Sequence, residues 1–186
     1  MSRFSLTAIG TDRPGIVAAL TKPLAGLGYS IEDSAMAILQ GNFAIMLVMS
    51  TPENVQSDSV ENTLAKAAQD MNLIVAVRPV ETTPSETLAT GKGEGDILSV
   101  SVYGADHPGI VYGVTSTLAS FGANIVELRT HVTKDSEDNK NSLYIMIIEV
   151  TLPPKIDREN LDNALSELSE ELGVSISTCL KEEQSF

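Results

Sequence analysis

Two segments of this chain alternate apolar and polar residues, and each is followed by an apolar stripe of helical period. Residues 4–9 and 97–103 set Leu, Ile and Val against Ser and Thr at every second position, the pattern of a half-buried strand. The period then changes. Ile16, Val17, Leu20, Leu24 and Leu27 share one helical face, and Ile110, Val111, Val114, Leu118 and Phe121 repeat it. Pro14 and Pro108 stand where the first turn of a helix accepts proline, and Gly28 and Gly122 where helix ends favour glycine. Pro23 is expected to bend the first helix.

Further along, strands are predicted at 30–39 and 124–133, at 43–50 and 143–152, and at 73–80 and 174–180. Gly41-Asn42 signals a two-residue hairpin in the first copy, where the second copy has the polar stretch 134–141. A second helix in each copy begins with an acidic cap: Asp58 with Glu61 three residues on, and Asp157 ahead of Leu161, Leu165, Leu168 and Leu172. The order βαββαβ, twice, defines an α+β fold of two tandem ferredoxin-like units, antiparallel sheets with helices on one face. The expected domains are 1–80 and 97–181. Residues 81–96, rich in Thr, Gly, Glu and Ser, read as a flexible linker, and 182–186 as a tail.

The two copies are a true duplication. Gly10-Thr-Asp-Arg-Pro-Gly-Ile-Val17 and Gly104-Ala-Asp-His-Pro-Gly-Ile-Val111 align at an offset of 94 residues. The same offset pairs Thr21 with Thr115, Leu24 with Leu118, Gly28 with Gly122 and Ile31 with Ile125. Ala44-Ile-Met-Leu-Val-Met49 and Leu143-Tyr-Ile-Met-Ile-Ile148 are apolar on both faces, which calls for a cover over the helix-free side and suggests a homo-oligomer or tandem pairing.

Composition narrows the function classes. With 4% aromatic residues and no Trp, the core is built from Ile, Val, Leu, Met and Ala. A net charge of −13 and no Lys/Arg cluster exclude direct nucleic-acid binding, so any role in gene control would pass through a partner protein. One cysteine, Cys179, permits neither an internal disulfide nor a zinc site, and is expected to be a small buried apolar group. No basic-then-apolar leader and no membrane-length apolar run is visible, so the expected compartment is the cytoplasm.

The chemistry concentrates at the Gly-x-Asp-x-Pro-Gly turn. Gly10 and Gly104 are expected to adopt a backbone conformation closed to other residues and to leave room for a close-lying ligand. The helix amides behind them suit a carboxylate. Asp12 and Asp106 can cap those amides or accept from an ammonium group, so the turn can address both ends of an amino acid. The alternative is that the same residues serve only the fold. Ser30 and Asn124 begin the second strands and are expected beside the turn, Asn124 offering both donor and acceptor. Glu32 and Asp33 read as solvated carboxylates. His107 fills the slot of Arg13, and His131 reads as an exposed strand residue. No catalytic set is present: one cysteine excludes a paired-thiol copper loop, and Arg13 is not repeated as an acylphosphatase arginine would be. No cofactor is expected.

The turn, the spacing and Gly122-Ala-Asn-Ile125 resemble the ACT domain, a regulatory module of amino-acid metabolism, over both repeats. Gly28-Tyr-Ser-Ile31 resembles it less closely. Two such units alone, with Ala8-Ile-Gly-Thr-Asp-Arg-Pro-Gly-Ile-Val17, Ile31-Glu-Asp-Ser34 and Phe43-Ala-Ile-Met-Leu47, are similar to the glycine cleavage system transcriptional repressor family. The resemblance implies a non-catalytic regulator that binds a small amino acid, glycine or serine favoured, and acts on a transcription factor or a metabolic enzyme by protein contact. A ligand-independent interaction module is the alternative. In such domains the ligand lies between the first turn of one domain and the second-strand start of another. Carried onto this chain, that picks Gly104, Asp106, His107, Gly109, Asn124 and Ile125, then Gly10, Asp12, Gly15, Ser30 and Ile31.

Overall fold

The computed structural model describes residues 2–51, 57–80, 96–133 and 142–181. The chain divides into two compact units, residues 1–84 and 85–186. The first contains β1 (Ser2–Thr11), α1 (Ile16–Gly26), β2 (Ser30–Leu39), β3 (Asn42–Thr51), α2 (Ser57–Met71) and β4 (Leu73–Pro79). The second repeats it with β5 (Ile97–Ala105), α3 (Ile110–Ser120), β6 (Asn124–Thr133), β7 (Leu143–Thr151), α4 (Arg158–Leu172) and β8 (Val174–Lys181). The sheets are antiparallel, ordered β2-β3-β1-β4 and β6-β7-β5-β8. This is the tandem ferredoxin-like fold the sequence pattern predicts.

Strand alternation decides which side chains are buried. Phe4, Leu6 and Ala8 of β1 and Phe43, Ile45, Leu47 and Met49 of β3 pack under Ile16, Leu20 and Leu24 of α1 and Val60 and Leu64 of α2. In the second unit Leu98, Val100, Val102, Tyr144, Met146, Ile148 and Val150 meet Ile110, Val114, Leu118, Leu161 and Leu165. Each such large apolar side chain contributes about 1.5–3 kcal/mol through burial. Val17, Leu27 and Val111 lie outside these cores and are exposed.

The helices cover the two central strands and one edge. α2 packs on β4 and α4 on β8, and the Glu61 carboxylate accepts a hydrogen bond from the Val77 amide at 3.1 Å. The opposite edges are bare: every residue of β2 is exposed, as are nearly all of β6.

The helix ends follow their sequence signals. Past α1, the Gly28 amide donates to the Ala25 carbonyl and the Tyr29 amide to the Leu24 carbonyl, a glycine-dependent closure that α3 repeats at Gly122 and Ala123. α1 runs as one helix through Pro23. Asp157 caps α4 by accepting from the Asn160 amide at 3.1 Å. The 134–141 connection, the 81–96 linker but for Asp96, and the 182–186 tail lie outside the described residues, and so does the Asp58 side chain on which the expected α2 cap depends.

Two local expectations are corrected. The hairpin turn is Gln40-Gly41, both with positive φ (51° and 76°), while Asn42 already pairs with Leu39 as the first residue of β3. Cys179 is exposed, because it pairs with Ser99 on the helix-free side of the sheet while Val174, Ile176 and Thr178 face the helices.

Candidate functional site

Each Gly-x-Asp-x-Pro-Gly turn leaves the end of a central strand and enters a helix. The residues in the left-handed conformation are the second glycines, Gly15 (φ 91°) and Gly109 (φ 103°), which serve as N-caps of α1 and α3. Neither helix has a side-chain cap. The first intrahelical bonds run from Ala19 to Gly15 and from Gly113 to Gly109, at 2.9 and 2.8 Å. The amides of Ile16, Val17 and Ala18, and of Ile110, Val111 and Tyr112, therefore have no intrahelical acceptor.

This corrects the expected roles of two residue pairs. Asp12 and Asp106 do not cap the helices. The Asp12 amide is tied instead to the Gly41 carbonyl at 2.9 Å, and both carboxylates remain exposed. Gly10 and Gly104 are not in the left-handed region; they are strand residues that the packing keeps small. A Cβ on Gly10 would stand 2.7 Å from Leu73 Cδ2 and 3.0 Å from the Asn72 carbonyl oxygen, and one on Gly104 2.7 Å from Val174 Cγ1.

The second unit surrounds its turn with more polar groups. Tyr144, where the first unit has Phe43, lies buried against Gly104 in the sheet register. Burial, and secondarily the Asp106 charge, push its phenol above the usual range. His107 is half-buried, with Nδ1 3.0 Å from the Pro108 carbonyl oxygen and Nε2 2.8 Å from that of Leu172 at the end of α4.

Ser30, Ile31, Asn124 and Ile125 are not beside the turns of their own units. Asn124 pairs with Thr151, which pairs with Ile97, the first residue of β5; the turn follows Ala105 at the other end. Eight residues of strand separate them, about 26 Å. The reason is topological: α3 carries the chain back along the sheet before β6 starts. In the first unit Ser30 is likewise opposite Arg3 and remote from Thr11. Ser30 and Ile31 instead line a groove of about 450 Å³ with Ala18, Thr21, Lys22, Leu24, Ala25 and Tyr29. Lys22 was not singled out from the sequence, although it is the one basic residue of α1. On the same strand Glu32 bridges to Arg3 at 2.6 Å, and the Ser50 hydroxyl and the Arg3 guanidinium hold its carboxyl below the usual range.

Among the described residues no three of His, Cys, Asp and Glu converge as a metal site would require, and no helix is long and apolar enough to cross a membrane.

Comparison with known proteins agrees with this geometry. The chain is 27% identical over 167 residues to the glycine cleavage system transcriptional repressor of Escherichia coli K12, covering 90% of this chain and 84% of that protein. A protein of unknown function from Galdieria sulphuraria superposes with a TM-score of 0.80 at 28% identity, over 97% of this chain and 99% of its own. A solved structure described as a candidate glycine cleavage system transcriptional repressor shares the fold at 21% identity, with a TM-score of 0.69 and 98% of each chain covered. The ACT domain model matches residues 2–78 and again 96–178. The chain therefore belongs to the ACT domain family, of which it carries two copies in tandem.

Proposed function

We propose that this chain is a non-catalytic cytoplasmic regulator that binds a small amino acid and controls a transcription factor through protein contact. The observation that carries the reading is the paired turn: helix amides without a side-chain cap stand beside an exposed carboxylate, in both units. A zwitterion needs that pair of opposite charges, its carboxylate on the amides and its ammonium on Asp106 or Asp12. Because Asn124 and Ser30 lie at the far ends of their own sheets, they contact a ligand at a turn only if that turn belongs to another unit, the sister unit or one of a second copy. The reading includes a second copy, in a homo-oligomer. The small residues of the turn itself, Gly104, Ala105 and Gly109, favour glycine or serine, in keeping with the name of the Escherichia coli relative. The charge of −13 supports action on gene expression through a protein and not on DNA itself.

A second reading, a ligand-independent interaction module, draws support from Gly10 and Gly104, whose smallness is accounted for by Leu73 and Val174. Calorimetry of the full chain against the twenty amino acids separates the two. Binding of a small amino acid, weakened about tenfold or more by Asp106→Ala or Asn124→Ala, supports sensing; heat from none of the twenty removes it.

A further inference from the structure

We propose that His107 is a pH-sensitive latch that fastens the β5–α3 turn to the C-terminal end of α4. Both ring nitrogens face carbonyl oxygens, Pro108 at 3.0 Å and Leu172 at 2.8 Å. A carbonyl oxygen only accepts, so both contacts are hydrogen bonds only when both nitrogens carry protons, in the imidazolium. In either neutral tautomer one ring lone pair points at a carbonyl lone pair. The acceptor on α4 is also a favourable one for a cation. Leu172 is the last residue of that helix, where carbonyls lack intrahelical donors and the helix dipole is negative.

The contact joins segments 65 residues apart in sequence, and it joins the turn that presents the α3 amides to the one helix end that abuts it. Gly104 already lies against Val174, two residues beyond Leu172. With the latch closed, the turn is held from both sides. With it open, the turn keeps its apolar packing, Gly104 against Val174 and the buried Ile110, and loses its hydrogen bond to the end of α4. Among the described residues the first unit shows no such contact: Arg13 takes the position and is exposed, and a guanidinium does not switch between donor and acceptor as an imidazole does. The titratable groups on the elements around the ring are Asp106 of the turn, Glu170 and Glu171 of the last turn of α4, and Tyr103, Tyr112 and Tyr144 of β5, α3 and β7. No lysine or arginine lies on α3 or in the last turn of α4.

The direction follows. The latch is closed while the ring carries two protons and opens when it gives one up, so acid favours the closed form and base the open one. Its consequence for ligand affinity rests on the reading of this turn as an amino-acid site; the latch itself is tested without ligand, so the two can fail separately. The full chain is labelled with ¹⁵N-histidine in a His131→Gln background, where His107 is the remaining histidine. Its ring nitrogens are followed by NMR against pH, alongside exchange of the hydrogen-bonded amides of Gly113, on the Gly109 carbonyl, and Gly173, on the Glu170 carbonyl, corrected for intrinsic rates. Protection at these amides is expected to fall about tenfold as the ring passes from two protons to one, the weight of one charge-assisted hydrogen bond. His107→Gln abolishes that pH step. His107→Arg, which fixes the charge as Arg13 does, abolishes it without lowering protection of core amides such as Val100. Protection that does not change as the ring titrates, or the same step in His107→Gln, overturns the latch.

Discussion

Gly104 and Val174 are cross-strand partners in β5 and β8, packed so closely that a Cβ on Gly104 would lie 2.7 Å from Val174 Cγ1 and 3.1 Å from Val174 Cα. Gly10 and Leu73 repeat the relationship in the first unit. The first glycine of each turn is therefore a packing requirement at the junction of the second helix and the last strand. Gly104→Ala is expected to cost about 1–3 kcal/mol by overpacking. Val174→Ala in the same chain should recover part of that loss by removing the Cγ1 atom. Urea denaturation of the single and double variants measures both.

Gly109 tests the opposite cause. Nothing lies within 4 Å of a Cβ built there, yet its φ is 103°. Gly109→Ala meets no neighbour and is strained only by its backbone, at about 1–2 kcal/mol. No second-site truncation should relieve it, which separates it from Gly104→Ala in the same denaturation series.

These two glycines show where the sequence was legible. Period-two alternation and helical stripes placed all the strands of both sheets to within two residues, because burial on one face constrains each position locally. The difference between Gly104 and Gly109 was invisible, since one depends on a contact with Val174, 70 positions away, and the other on its own backbone. The supposed neighbourhood of Asn124 and the turn failed for a related reason. A strand start carries no mark of which sheet end it occupies; the intervening helix decides that. Cys179 was misplaced because strand β8 mixes small polar and apolar residues, and register alone assigns Cys179 to the helix-free face.

Tyr144 gives a pH-dependent test of the second turn. Burial raises its phenol first and the Asp106 carboxylate second. Asp106→Asn should bring its ionisation down toward, but not onto, the usual tyrosine range, read by ultraviolet absorbance. Since the folded value is raised, the neutral phenol stabilises the fold below the unfolded value, and that contribution is lost as pH rises through the folded one. Tyr144→Phe, which copies Phe43, should remove that share of the alkaline loss.

Glu32 works in the other direction. The Ser50 hydroxyl and then Arg3 hold its carboxyl low, so its contribution is present above the unfolded carboxylate value and disappears as pH falls through the lowered folded one. Arg3→Gln should lower the urea midpoint at neutral pH, with the difference from the parent narrowing in acid. A difference that stays constant below pH 3 would assign the effect of Arg3 to packing instead of charge.

The bare edges of the two sheets bear on assembly. Met36 and Ile38 of β2 pair with the buried Ile45 and Phe43, yet are 53% and 50% exposed, because the helices stop short of that strand. A ten-residue edge with such side chains invites pairing unless charge or a cover opposes it. Replacing both with lysine introduces that opposition and removes the apolar area available to a second copy. Two large apolar side chains with about half of their surface left to bury are worth roughly 1.5–3 kcal/mol, so Met36→Lys with Ile38→Lys should weaken self-association by roughly tenfold or more. Sedimentation velocity over a concentration series reads this directly: a parent chain heavier than a monomer and a lighter variant are expected. A parent that stays monomeric throughout would mean that no second copy brings Asn124 or Ser30 to a turn, which leaves the sister unit of the same chain or the turn residues alone to complete an amino-acid site.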